Sequence, residues 1–178
     1  MGLLVFFKEK GESYIASFPK ALTNDSFIVV HNLILTMNLP DIYLTKQIKN
    51  MLDFRAIEPN ENELNYLNSV VSPEILNAYL KLKSKNNDFK KIYFAIHLNG
   101  MNFIASINHL VFEKEEDFMP LGTDVETYLG FCRVLPKDYS LSEGIKLFQH
   151  QLYLDCKKQT NINDFYIEPV SKFIQGEA

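Results

Sequence analysis

Cysteine, arginine and glycine are all scarce in this chain of 178 residues, and each scarcity removes a class of function. The two cysteines, Cys132 and Cys156, stand far apart with no CxxC or Cys–His spacing, so neither a zinc site nor a disulfide framework follows. Buried free thiols are the expected state. Only Arg55 and Arg133 are arginine, which leaves almost none of the bidentate forks that clamp phosphates or read guanine edges. With a formal net charge of -4, no nucleic-acid partner is expected. The small basic run Lys81, Lys83 and Lys85 suits the C-terminal end of a helix.

The seven glycines are nowhere clustered, so a phosphate-cradling loop has little to be made from. There is no P-loop, GxGxxG, HExxH, EF-hand loop or GxSxG elbow, and no cofactor or metal is expected. No run approaches the roughly 20 apolar residues of a membrane span, and Met1–Lys8 lacks a basic leader region. Gly2 is not followed by the Ser or Thr that myristoylation needs, because position six is Phe6. A cytoplasmic protein with no membrane partner is the expectation.

What is present fits an ordinary globular chain: 47% hydrophobic, 13% aromatic and 22% charged residues, enough for one core over 1–178. Preference for Asn, Ile and Lys over Arg is in keeping with an AT-rich bacterial genome. The strongest local signal is the pair of alternating runs in residues 90–109, joined by Asn99-Gly100, the preferred dipeptide of a type I′ turn. That turn sets Leu98 opposite Met101, Ile96 opposite Phe103, Phe94 opposite Ala105 and Ile92 opposite Ile107, all on one face that must be buried. The other face carries His97 with Asn102, Ala95 with Ile104, Tyr93 with Ser106 and Lys91 with Asn108.

Helix signals flank this hairpin. Asn60 with Glu63, and Ser140 with Glu143, have the form of capping boxes, and Leu141, Ile145, Phe148, Leu152 and Cys156 recur on one face to about Lys158. Ser72-Pro73 restarts the chain, so two short helices are expected to meet at an angle near Val71, the second carrying Ile75, Leu76, Tyr79 and Leu80 inward. A further helix is expected from Pro40 to about Asp53. Residues 27–37 are apolar on all sides, which leaves strand and helix nearly balanced; the reading favoured is helix. Leu3–Phe7 and Ser13–Phe18 read as a second hairpin around Lys10-Gly11, and Val125–Val134 and Phe165–Ile167 as strands, the last at a sheet edge because of Pro169. The fold expected is α+β: an antiparallel sheet containing the 90–109 hairpin, packed with four to five helices.

His31, His97, His109 and His150 are the candidate general bases, yet none has a neighbouring acid or nucleophile to mark it. His31, in an apolar run, reads as a satisfied core polar group, His109 as a hydrogen-bonded histidine at the boundary of the hairpin face, and His150 as a residue near the solvent side of its helix. Two groups read as a partner-binding surface. One is the polar face Tyr93, His97, Asn102, Ser106 and Asn108, whose amide, hydroxyl and imidazole groups resemble adaptable protein-binding surfaces, although a solvated or helix-covered face would look the same. The other is the acidic run Glu113, Glu115, Glu116 and Asp117, which would steer a basic partner but lacks the ligand pattern of a calcium loop. By elimination the expected function is that of a non-catalytic protein-binding protein of the bacterial cytosol, of the toxin-neutralising (immunity) or adaptor kind. The alternatives are an enzyme with a dispersed His/carboxylate pair and a small-molecule sensor with an aromatic cavity.

Overall fold

The computed structural model describes residues 3–18, 27–37, 42–83, 93–106, 110–122, 140, 143–147 and 166–174. Left-handed residues at two-residue turns organise its strands. Lys10 and Gly11 have φ of 52° and 79°, and Asn99 and Gly100 have 52° and 75°, the primed geometry that matches the right-handed twist of the strands it joins. Strands β1 (Leu3–Glu9) and β2 (Glu12–Phe18) therefore pair from Glu9↔Glu12 outward. Strands β5 (Tyr93–Leu98) and β6 (Met101–Ser106) pair as the Asn-Gly turn requires, from Leu98↔Met101 through His97↔Asn102 to Tyr93↔Ser106. The expected outer pairs Ile92–Ile107 and Lys91–Asn108, and His109, lie outside the described residues.

Residues 27–37 form a third hairpin and not a helix: β3 (Phe27–Val30) and β4 (Leu33–Met37) turn at His31-Asn32, with His31 at φ 54°. The sequence shows no alternation because all five residues of β4 are buried, on both faces. Strands β7 (Glu113–Glu115), β8 (Met119–Gly122) and β9 (Tyr166–Pro169) complete two antiparallel sheets, β8-β1-β2-β9 and β3-β4-β5-β6-β7. Pro169 thus lies on an edge strand, where its missing N–H costs no ladder bond.

The five-stranded sheet lies between two apolar layers. One face, with Ile28, Leu33, Leu35, Phe94, Ile96, Leu98 and Phe103, packs with helical residues such as Ile48, Tyr66, Val71, Ile75 and Leu82. The opposite face, with Phe27, Ile34 and Ala95, packs against Leu4, Phe6 and Ile15 of the four-stranded sheet. That second sheet is buried on its far side as well, since Val5, Phe7 and Ala16 are each at most 1% exposed.

Among the described residues there are three α-helices: α1 (Ile42–Met51), α2 (Glu63–Tyr66) and α3 (Ser72–Lys83). One helical stretch at residues 143–147 adds to them, opened by the expected reciprocal cap in which Glu143 N–H donates to Ser140 Oγ (3.2 Å) and Ser140 N–H to Glu143 Oε2 (3.3 Å). The expectation of one sheet with four to five helices is therefore corrected, among the described residues, to two sheets with the three helices α1, α2 and α3 and the short stretch at 143–147, because residues 27–37 are strand. The two helices expected to meet at an angle near Val71 are instead continuous: a π turn (Leu67–Val71) joins α2 to α3, with Ser72 itself helical at φ -57°, ψ -45°. Its wider hydrogen-bonded ring accommodates Pro73, which would clash with the carbonyl four residues back in a regular helix. The cap of α2 is Asn62, whose Oδ1 accepts from Asn65 N–H at 3.0 Å, two residues later than the Asn60 expected. The expected strand 125–134 lies outside the described residues. No helix among those described is long and apolar enough to cross a membrane.

The loop from α1 to α2 is fastened at both ends. His31 Nε2 lies 2.8 Å from the Phe54 carbonyl, so this histidine pins the loop from a hairpin turn and is not the core residue its apolar setting implied. Arg55 grips Glu61 through two hydrogen bonds of 2.7 and 2.6 Å, and the buried Tyr66 hydroxyl donates to the Arg55 carbonyl. The guanidinium holds the Glu61 carboxyl at about 2, well below its ordinary 4.5. Because the folded value is the lower one, this contribution to stability is complete above the ordinary carboxylate range and is lost as pH falls toward 2. A carbon-13 titration of the Glu61 carboxyl should give a midpoint near 2, and Arg55→Gln should return it to the usual range. Gly100→Ala, forced to keep a positive φ, should lower stability to urea by about 1–2 kcal/mol.

Candidate functional site

Three neighbouring features of the described structure bear on function: a polar pair between the sheets, a strained segment leading to an acidic edge, and a cleft at one end of the sandwich. The polar pair is His97 with Asn102. Alternation puts both on the side of β5 and β6 that meets the four-stranded sheet, where each is 3% exposed. Asn102 Nδ2 donates to the Glu116 carbonyl at 3.0 Å, which turns Oδ1 toward the ring; His97 Nδ1 then donates to it at 2.8 Å. Phe6 of β1 stacks on the imidazole with 5.5 Å between centroids and 7° between planes. The polar hairpin face expected to meet a partner is therefore interior at its centre, closed by a sheet that packs across it.

The other expected contact residues divide accordingly. Tyr93 is exposed, but it sits about 13 Å along the strand from His97 at 3.3 Å per residue, so the two do not form one patch. Ser106 pairs with Tyr93 at that same far end, and Asn108 lies outside the described residues. Glu113, Glu115, Glu116 and Asp117 are all exposed, on and just after β7, the edge of the five-stranded sheet. Charges there discourage another strand from adding to the open edge.

The segment leading into β7 is held under strain. Leu110 is buried at φ 42°, a left-handed conformation that costs a non-glycine residue roughly 1–2 kcal/mol. Hydrogen bonds from the helical rod hold it there. The Ser72 hydroxyl donates to the Leu110 carbonyl, while Asn68 of the π turn accepts from Phe112 N–H at 2.7 Å and donates to its carbonyl at 3.3 Å. With Leu110 and Phe112 both buried, Val111 between them is turned outward and is 57% exposed. On α3 the buried stripe is Ile75, Ala78, Tyr79 and Leu82; Leu76 and Leu80, expected inward, are exposed at 40% and 52%. The sequence did carry a signal for this, because five large apolar residues between 75 and 82 make an arc wider than one buried stripe needs.

The cleft, of about 490 Å³, opens where the Lys10-Gly11 and Asn99-Gly100 turns come together from the two sheets, and residues Val170 and Ser171 close its side. Lys8, Ser13 and His97 line it. Sequence reading missed it because its walls come from segments some 90 residues apart, joined only by the stacking of the sheets.

His97 bonds to the Asn102 side-chain amide, and His31 to the Phe54 backbone carbonyl. No three His, Cys, Asp or Glu residues among the described residues come together in a way that could hold a metal ion.

The chain has the fold of Anbu. Anbu (ancestral beta-subunit) from Yersinia bercovieri superposes with a TM-score of 0.50 at 12% identity, over 95% of this chain and 81% of that one. The Gly-1 mutant of Anbu from Hyphomicrobium sp. strain MC1 gives 0.50 at 14% identity, over 98% and 89% of the two chains. Identities this low establish shared architecture alone. No protein-family model and no curated protein matches the chain.

Truncating the buried amide should be costly, since it strips both the His97 Nδ1–H and the Glu116 carbonyl of their partner. Asn102→Ala is expected to lower unfolding free energy in urea by about 1–3 kcal/mol. A loss below about 0.5 kcal/mol, the usual size for surface substitutions, would mean that the pair is not enclosed.

Proposed function

We propose that this chain works by non-catalytic association with another protein, as a subunit or adaptor of the bacterial cytosol, and that toxin neutralisation is one form such a role takes. The observations that carry the reading are outward-facing apolar side chains on the segment before the sheet edge and on the helix bonded to that segment. Val111 is presented by a strained, hydrogen-bonded segment, Leu76 and Leu80 stand exposed on α3, and Glu113, Glu115, Glu116 and Asp117 follow directly on the edge strand. An apolar contact with a charged rim is the usual make-up of a protein interface, and strain held in place by its surroundings tends to collect where a chain does something. The acidic rim fits a partner with a basic surface. Likeness to a protein described as an ancestral beta-subunit, a chain that by that name belongs to an assembly, supports the same reading by analogy of fold.

Copurification from the native host at physiological salt, followed by calorimetry with the partner recovered, tests this reading. Val111→Asp combined with Leu80→Glu should leave the isolated chain folded, because both positions face water, and weaken binding by at least about tenfold. Glu115→Lys with Glu116→Lys should slow association and flatten its dependence on salt. A chain that stays monomeric and recovers no partner, or whose partner is indifferent to both double variants, would refute the proposal.

A further inference from the structure

We propose that the cleft between the two hairpin turns binds a small ligand bearing a carboxylate or phosphate group, independently of the protein association proposed above. The cleft lies at the open end of the space between the sheets. Lys8 and Ser13 are register partners on β1 and β2, two residues beyond the core positions Phe6 and Ile15 and therefore on the face turned toward the other sheet. From that other sheet come His97 and Gly100. The point a Cβ on Gly100 would occupy lies 3.7 Å from Lys8 Nζ and 4.0 Å from Ser13 Oγ, so an ammonium and a hydroxyl converge over a residue that contributes no side chain of its own. Glycine is needed there for its φ of 75°, and its bareness keeps the space open.

The Lys8 ammonium favours an anionic ligand. Lys8 makes no ion pair among the described residues, and among the described residues lining the cleft it is the sole lysine or arginine. The carboxylate among them, Glu12, sits one residue from Ser13 along β2 and so on the opposite face, where it accepts a hydrogen bond from the Tyr14 hydroxyl at 3.2 Å. Ser13 and Ser171 add hydroxyl donors, and the buried His97 ring, braced by Phe6 and Asn102, gives the cleft a rigid polar wall. A volume of about 490 Å³ falls within the range of metabolite sites, roughly 300–1,000 Å³, and an ammonium beside hydroxyl donors binds carboxylate or phosphate oxygens through charge-assisted hydrogen bonds.

Calorimetric titration of the full chain with inorganic phosphate and, separately, with succinate, at matched ionic strength in chloride, tests the site. One saturable site of millimolar affinity or better for either probe is expected, and the tighter of the two identifies the group recognised. Lys8→Gln, at an exposed position, should weaken binding at least about tenfold, and Ser13→Ala a few-fold, while Lys46→Gln on α1 should leave it unchanged. Thermal unfolding of each variant confirms that it is folded. No saturation by either probe up to about 20 mM, or equal losses in Lys8→Gln and Lys46→Gln, would overturn the proposal.

Discussion

The five-stranded sheet has no wet face in its centre. Helices cover one side, the second sheet covers the other, and every polar group on its inner strands must find a partner within the protein or cost the chain its desolvation. His97 and Asn102 satisfy that requirement by bonding to each other and to the Glu116 carbonyl, and Phe6 fills the space above the ring. Because the pair is enclosed, it works as a tie between strands. Contacts with other molecules are left to the rim of the sandwich, to its turns, and to the outside of the helical layer.

That tie also reaches the surface. Asn102 fixes the backbone at Glu116 from one side, while Ser72 and Asn68 fix Leu110 and Phe112 from the other, so residues 110–116 are held between the helical rod and the inner sheet. Each such hydrogen bond is worth about 1 kcal/mol net, enough in combination to offset the left-handed conformation of Leu110. The segment is thus held by bonds within the chain itself, which would lower the entropic cost of the association proposed. The π turn belongs to the same arrangement: it carries Asn68, which makes both bonds to Phe112, and it leads directly into Pro73.

Local chemistry was legible in the sequence where a single segment decides the outcome. Asn99-Gly100 marks its turn and register, Lys10-Gly11 marks a hairpin, and Ser140 with Glu143 marks a true reciprocal cap. Reading failed where a distant layer decides. Residues 27–37 lack alternation because both of their faces are covered, and an apolar run without a period does not separate strand from helix. His97 and Asn102 looked like an outward face because nothing near them in the chain announces the sheet that covers them. Leu76 and Leu80 were assigned inward by spacing, although the helix had more apolar residues than one stripe could bury. The cleft at Lys8, Ser13 and His97 depends wholly on how two hairpins stack, information no single segment holds.

The enclosure of the His97–Asn102 pair is most directly tested by nitrogen-15 NMR of the imidazole in the unmodified chain. An enclosed pair predicts a resolved Nδ1–H proton for His97 that exchanges with water as slowly as the amides of β5, and a close contact from it to the Asn102 side chain. An Nδ1–H lost to rapid exchange, with the Phe6 ring showing no contact to the imidazole, would contradict the two-sheet enclosure and return the polar hairpin face to the surface.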